Sequence, residues 1–197
     1  MLNFRKITSK AYEYLRLTQK DSMLQTKQLK NLPLLNLDGL KLDYDKLNAV
    51  RYSKEEIKNA YSDYMKAPYV NYFLRKSSVL SANANKQVGC LMQAINDSTP
   101  IKGTFYRGLG QCKNEETVRK YIFDNRGFTS VAPAQSKRVA ETFFSENSGA
   151  LIEFNLKTPI KGFQASSWET IFAPNTFTSS KFDLIKVEDK YYKIVEK

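Results

Sequence analysis

Apolar residues recur along this chain at two periods, and the change falls near Pro100. Upstream, the spacing is helical. Residues 6–30 place Ile7, Ala11, Leu15 and Leu17 among Lys, Gln and Thr, which predicts a polar amphipathic helix. Residues 31–50 read as a leucine-studded loop broken by Pro33 and Gly39. Ser53 and Glu56 form a capping-box pattern, and Ile57, Tyr61 and Tyr64 follow on one helical face. Pro68 then opens a second helix carrying Tyr69, Asn71, Tyr72, Leu74 and Arg75. Val88, Leu91, Met92 and Ile95 mark a third, ending before Pro100.

Downstream, alternation takes over. Strands are predicted over 103–107, 128–131, 150–156, 170–173, 176–187 and 190–195. In 150–156, Ile152, Phe154 and Leu156 alternate with Glu153 and Asn155. Two short helices interrupt the strands. One is capped by Asn114 and carries Val118, Tyr121 and Ile122; the other spans 136–144, with Val139, Ala140 and Phe143 inward. Helices first and strands afterwards indicate an α+β fold, with N-terminal helices packed on an antiparallel-rich, two-sheet core. The division follows: residues 1–50 as a helical arm or lid, 51–197 as the main domain.

Composition narrows the chemistry. Histidine is absent, which removes Ser-His-Asp and Cys-His catalysis and most catalytic zinc sites. Two cysteines, Cys90 and Cys112, make neither a structural zinc site nor a disulfide framework, so a reducing compartment is the simple reading. A net charge of +11, from 31 basic and 20 acidic residues, suits an acidic protein, nucleic acid or anionic ligand. No run approaches the roughly 18 apolar residues of a membrane span, and the first residues lack the apolar stretch of a signal peptide. A cytoplasmic setting, in the host or in a target cell, is expected.

Three residues then stand out in order, each at the end of a β-like run. Arg107 lies in Tyr106-Arg107-Gly108, Ser130 in Gly127-Phe128-Thr129-Ser130, and Glu169 just before the apolar Thr170-Ile171-Phe172-Ala173. Each alone is ordinary: arginine at a strand end, serine on a strand edge, glutamate at a strand entry. Together they supply a fork able to grip a pyrophosphate, a hydroxyl brace, and a carboxylate able to stabilise developing positive charge. Gly108 would let a ligand approach the backbone closely.

The set resembles the active site of the ADP-ribosyltransferases that order their residues as Arg, Ser, Glu. The resemblance spans roughly residues 53–187 and extends to the tyrosine-rich helix and the Asn71-x-x-Leu74-Arg75 element upstream of the arginine strand. It implies a mono-ADP-ribosyltransferase that takes NAD as substrate, requires no metal and works as a monomer. Arg107, Ser130 and Glu169 would be catalytic. Gly108, Asn71, Arg75 and Phe143 would help bind NAD, Phe143 as an aromatic lining the nicotinamide pocket. Phe163, Ser167 and Trp168 would face the acceptor, an acidic protein or a nucleic acid. The short basic chain is most similar to phage-encoded, toxin-like members.

Two positions depart from the family pattern. Its Ser-Thr-Ser is here Ser130-Val131-Ala132, and its Glu or Gln two residues before the catalytic glutamate is here Ser167. Serine cannot hold a guanidinium as a carboxylate does, so the implied acceptor is not arginine. Two other classes stay open on sequence: a basic nucleic-acid-binding module without catalysis, and an NAD glycohydrolase that uses water as acceptor.

Overall fold

The computed structural model describes residues 50–66, 69–76, 82–112, 114–144 and 149–197. The helix expected over 6–30, and all of the loop over 31–50 except Val50, fall outside them.

Three helices come first: α1 (Lys54–Lys66), α2 (Tyr69–Lys76) and α3 (Ala82–Asn96). The capping box forms at the start of α1. Ser53 N donates to Glu56 Oε2 at 2.9 Å, and Glu56 N donates back to Ser53 Oγ at 3.2 Å. Lys86 Nζ, 2.7 Å from Glu56 Oε1, ties α3 to that end of α1.

The strands are β1 (Ile101–Leu109), β2 (Thr129–Pro133), β3 (Ala150–Ile160), β4 (Phe163–Gln164), β5 (Thr170–Phe172), β6 (Phe182–Glu188) and β7 (Tyr191–Glu196). Between β1 and β2 lies α4 (Glu115–Phe123), capped by Asn114, whose side chain accepts from Thr117 N at 2.9 Å. A 3₁₀ turn (Ala134–Ser136) and α5 (Lys137–Thr142) follow β2.

The fold is α+β, and its strands run in one hydrogen-bonded order, β4-β5-β2-β1-β3-β7-β6. The two sheets expected from sequence are its two halves, and β2 belongs to both. Its first residues pair with β5 (Ser130↔Ile171), its last with β1 (Tyr106↔Ala132, Phe105↔Pro133). All pairings are antiparallel except β3 with β7.

The shared strands separate two apolar clusters. Phe128 and Ile171 turn to the helices, packing with Tyr64, Val70, Leu74, Val88, Leu91 and Ile95. Val131 and Phe172 turn the other way, toward Phe105, Phe154, Phe177, Phe182 and Ile194 under α4. Period-2 alternation thus serves two cores at once.

Two expectations need correction. The strand expected over 176–187 begins only at Phe182, because Thr178 O accepts from both Lys181 N and Phe182 N and turns the chain. Phe177 is fully buried all the same, as a loop residue filling the core. Phe143, expected inward, is 65% exposed: α5 ends at Thr142, and the ring leaves the helix at its cap. Among the described residues no helix is long and apolar enough to cross a membrane.

Candidate active site

β1 and β2 diverge beyond Tyr106↔Ala132, and the next side chain on β1 spans the opening. Arg107 Nη1 donates to the Ser130 carbonyl at 2.9 Å. The Ser130 hydroxyl lies 2.7 Å from Tyr64 Oη on α1. Tyr61, one turn earlier on α1, donates its hydroxyl to Glu169 Oε2 at 2.9 Å. Arg107, Ser130 and Glu169 therefore converge at the junction of the two half-sheets, roofed by α1. The tyrosine-rich helix supplies the cross-bracing through residues that sequence analysis had placed on its apolar face.

Glu169 is buried, and the loop before it is closed by its own carbonyl, which accepts from Ala165 N at 3.0 Å and Ser166 N at 3.2 Å. Burial pushes the Glu169 carboxyl above the usual range. Hydrogen bonding from Tyr61 and Ser130 and the charge of Arg107 oppose that push without cancelling it. The Tyr61 phenol is pushed up to about 12, first by burial and then by the neighbouring carboxylate.

The second arginine arrives from α2. Arg75 Nε donates to Asn125 Oδ1 at 2.9 Å, and its guanidinium lies 5.0 Å from the centre of the Tyr121 ring. The Arg107 guanidinium lies 5.6 Å from the same ring. Arg75 Nη2 is buried with no partner, and among the described residues neither arginine has a carboxylate in salt-bridge range. Two cations share one aromatic ring, one of them with an orphaned donor. That arrangement fits a bound anion with paired oxygens, as in a pyrophosphate. Tyr121 and Asn125 were not singled out from sequence. Tyr121 reads as a core position of an amphipathic helix, and nothing in the spacing marks it as a platform.

Two other residues expected at the ligand have defined places in the packing. Asn71 spends both ends of its carboxamide on it: Oδ1 accepts from Phe128 N at 2.7 Å, and Nδ2 donates to Phe128 O at 3.2 Å and Tyr64 Oη at 2.9 Å. It clamps α2 to the residue that leads into β2. Gly108 has its open side filled by α5, since a Cβ there would sit 2.0 Å from Ala140 O. Close helix–strand packing demands this glycine.

On the other rim, Phe163 is half-buried with its ring edge-on to Tyr61 at 6.0 Å. Ser167 and Trp168 are exposed, and Ser136 Oγ donates to Ser167 O at 3.2 Å. No group of His, Cys, Asp and Glu able to hold a metal ion occurs among the described residues.

No family model and no curated protein matches the sequence. Solved structures do match the fold. Vis toxin, an ADP-ribosyltransferase from Vibrio splendidus, superposes with a TM-score of 0.51 at 24% identity, over 72% of this chain and 71% of that one. Exoenzyme S from Pseudomonas aeruginosa, solved with human 14-3-3 protein beta and bound to carba-NAD, gives 0.52 at 13% identity, over 81% and 82%. The C3 exoenzyme of Clostridium limosum gives 0.50 at 17% identity, over 76% and 88%. This chain has the ADP-ribosyltransferase fold. Among the described residues, the groups brought together at this cleft are one carboxylate, two guanidinia and the hydroxyls bracing them.

Proposed function

We propose that the protein is a mono-ADP-ribosyltransferase that cleaves NAD at the nicotinamide–ribose bond and transfers ADP-ribose to a macromolecular acceptor other than arginine. The observation carrying this reading is the pair of carboxylate-free guanidinia over Tyr121, opening beside a buried carboxylate held by Tyr61. Arg75 and Arg107 grip the pyrophosphate. Tyr61 and Ser130 orient Glu169 toward the nicotinamide ribose, where its charge stabilises the oxocarbenium-like transition state as nicotinamide leaves. The pyridinium charge of NAD itself favours the ionised carboxylate, which offsets the upward push of burial once substrate is bound. An acceptor nucleophile entering past Ser167 and Trp168 then attacks the ribose carbon, and its proton leaves to solvent or to the freed carboxylate.

Labelled NAD incubated with the protein and a bacterial lysate, with and without nuclease, tests this. Transfer of label to a macromolecule is the expected result. Nicotinamide release with no labelled macromolecule would make the protein an NAD glycohydrolase. Binding to nucleic acid with a steep salt dependence and no NAD affinity would return it to a non-catalytic basic module.

A further inference from the structure

The cleft holding Glu169 is not the only opening at the junction of the half-sheets. Thr170 alternates to the opposite side of β5 from Glu169 and lines a cavity of about 300 Å³ with Lys102, Gly103, Thr104, Gln135 and Gln164. Its wall is a free strand edge. β1 pairs with β2 only at Phe105 and Tyr106, because the chain leaves β2 as a 3₁₀ turn at Ala134. Over 101–104, β1 therefore has β3 on one side and, among the described residues, no strand on the other. A β-bulge lies between Ile101 and Gly103, and Gly103 adopts φ 123°, with nothing within 4 Å of where a Cβ would stand. Among the described residues the side chains of Lys102, Thr104, Gln135 and Gln164 have no partner. The lining contains one cation and no carboxylate.

We infer that this groove seats an extended, acidic polypeptide segment, which adds as a strand to the free edge of β1. The edge offers both N–H and C=O groups. A polypeptide backbone reciprocates both, whereas a phosphodiester backbone only accepts. The sole aromatic lining the groove, Phe105, is buried, so no platform exists on which bases could stack. Lys102, with no carboxylate in the lining, and the basic balance of the chain as a whole favour acidic side chains, while the carboxamides of Gln135 and Gln164 serve the peptide's polar groups. The groove is joined to the catalytic loop: Gln164 begins it, and Ser136, next to Gln135, bonds the Ser167 carbonyl. A segment held here is anchored beside the acceptor entrance. The inference rests on the transferase reading only in naming the segment as part of the acceptor.

The probe is a fluorescein-labelled peptide of alternating Glu and Val, with its Lys-Val counterpart and a single-stranded oligonucleotide as comparisons. The Glu-Val peptide should bind and slow amide hydrogen exchange at residues 102–104. Combined Lys102→Glu and Gln135→Glu should weaken it about tenfold or more, while acceptor-free nicotinamide release stays unchanged. Unchanged affinity in that variant, exchange protection elsewhere, or protection of 102–104 by the oligonucleotide instead of the peptide would overturn the inference. A protein that binds the peptide at 102–104 but never releases nicotinamide keeps its groove and loses only the transferase reading.

Discussion

Two buried glutamates in this protein have opposite electrostatic signs, and the difference lies in their partners. Glu153 sits on the sheet face away from Arg107. Burial pushes its carboxyl up, but hydrogen bonds from Tyr191 and Lys193, the Lys193 charge and a weaker bond from Tyr106 outweigh that and hold it below the usual range. Glu169 has two hydroxyl neighbours and, among the described residues, no ion pair, so burial wins and its carboxyl is raised. A lowered folded-state pKa stabilises the fold above the unfolded value and loses that contribution as pH falls through the folded one. A raised pKa does the reverse, its contribution fading as pH climbs. Glu153→Gln should therefore lower Tm at neutral pH, and Glu169→Gln should raise it. The Glu169 difference should shrink as pH falls toward about 4, where the unfolded carboxylate protonates, and the Glu153 difference only below that, as pH falls through its lowered folded-state value. Thermal melts across pH check both signs, and a pH-independent gain in Glu169→Gln would show that its burial carries no charge penalty. The same Glu169→Gln variant should release nicotinamide roughly 10²-fold more slowly, the scale of one lost electrostatic stabiliser. Fold stability and activity are thus set against each other at one carboxyl.

Tyr61 tunes that carboxyl. Removing its hydroxyl while keeping its ring against Phe163 removes a hydrogen bond to the ionised form, and the Glu169 pKa should rise further. In Tyr61→Phe the acid limb of the kcat/KM profile for nicotinamide release should move to higher pH. An unmoved limb would mean that another group holds the carboxylate in the working enzyme.

At the scale of elements, the site depends on how α2 is fastened. Asn71 bonds the Phe128 backbone at both its N–H and its C=O, and it also fixes the Tyr64 hydroxyl that meets Ser130. Asn71→Ala leaves those buried groups unpaired and should cost about 2–3 kcal/mol in urea unfolding. Asn71→Asp keeps the acceptor for Phe128 N but loses both donated bonds, and should destabilise as well. Sequence periodicity located α1, α3, α4 and most strands, because each buries one face and the capping residues Ser53 and Asn114 bond locally. It also brought Arg107, Ser130 and Glu169 into view, since strand ends and turn residues are local features. What it could not supply was direction. Asn71 and Gly108 stand in the right elements, yet one turns into β2 and the other abuts α5, and both facts depend on packing between distant segments. Phe143 failed for a related reason: α5 stops one residue before it, at a boundary that helical spacing does not resolve. Tyr121 became an arginine platform only because α2 and β1 deliver Arg75 and Arg107 to the same ring.

At the scale of the whole molecule, acceptor choice follows from how charge is distributed around the cleft. The chain carries +11, and the side proposed to face the phosphates holds two arginines that have no carboxylate partner among the described residues. The loop proposed to face the acceptor, by contrast, runs Gln164-Ala165-Ser166-Ser167-Trp168 with no acid before Glu169. A guanidinium acceptor would enter a basic molecule with only the buried catalytic carboxylate to receive it. Serine offers one hydroxyl and no charge, which suits a smaller polar nucleophile such as a hydroxyl, an amide or a base nitrogen. Free arginine and its analogues should therefore be poor acceptors. The loop is well suited to testing this, because its frame is held by backbone bonds to Glu169 O and by Ser136 Oγ on Ser167 O, none of which involves the Ser167 side chain. Ser167→Glu adds a carboxylate at an exposed position without disturbing that frame. It should raise labelling of agmatine or a protein arginine while leaving acceptor-free nicotinamide release within about twofold, since charge added outside the reacting centre alters acceptor binding more than the leaving-group step. Efficient arginine labelling by the unaltered protein would mean that a residue outside this loop supplies the missing carboxylate, and the argument from Ser167 would fall.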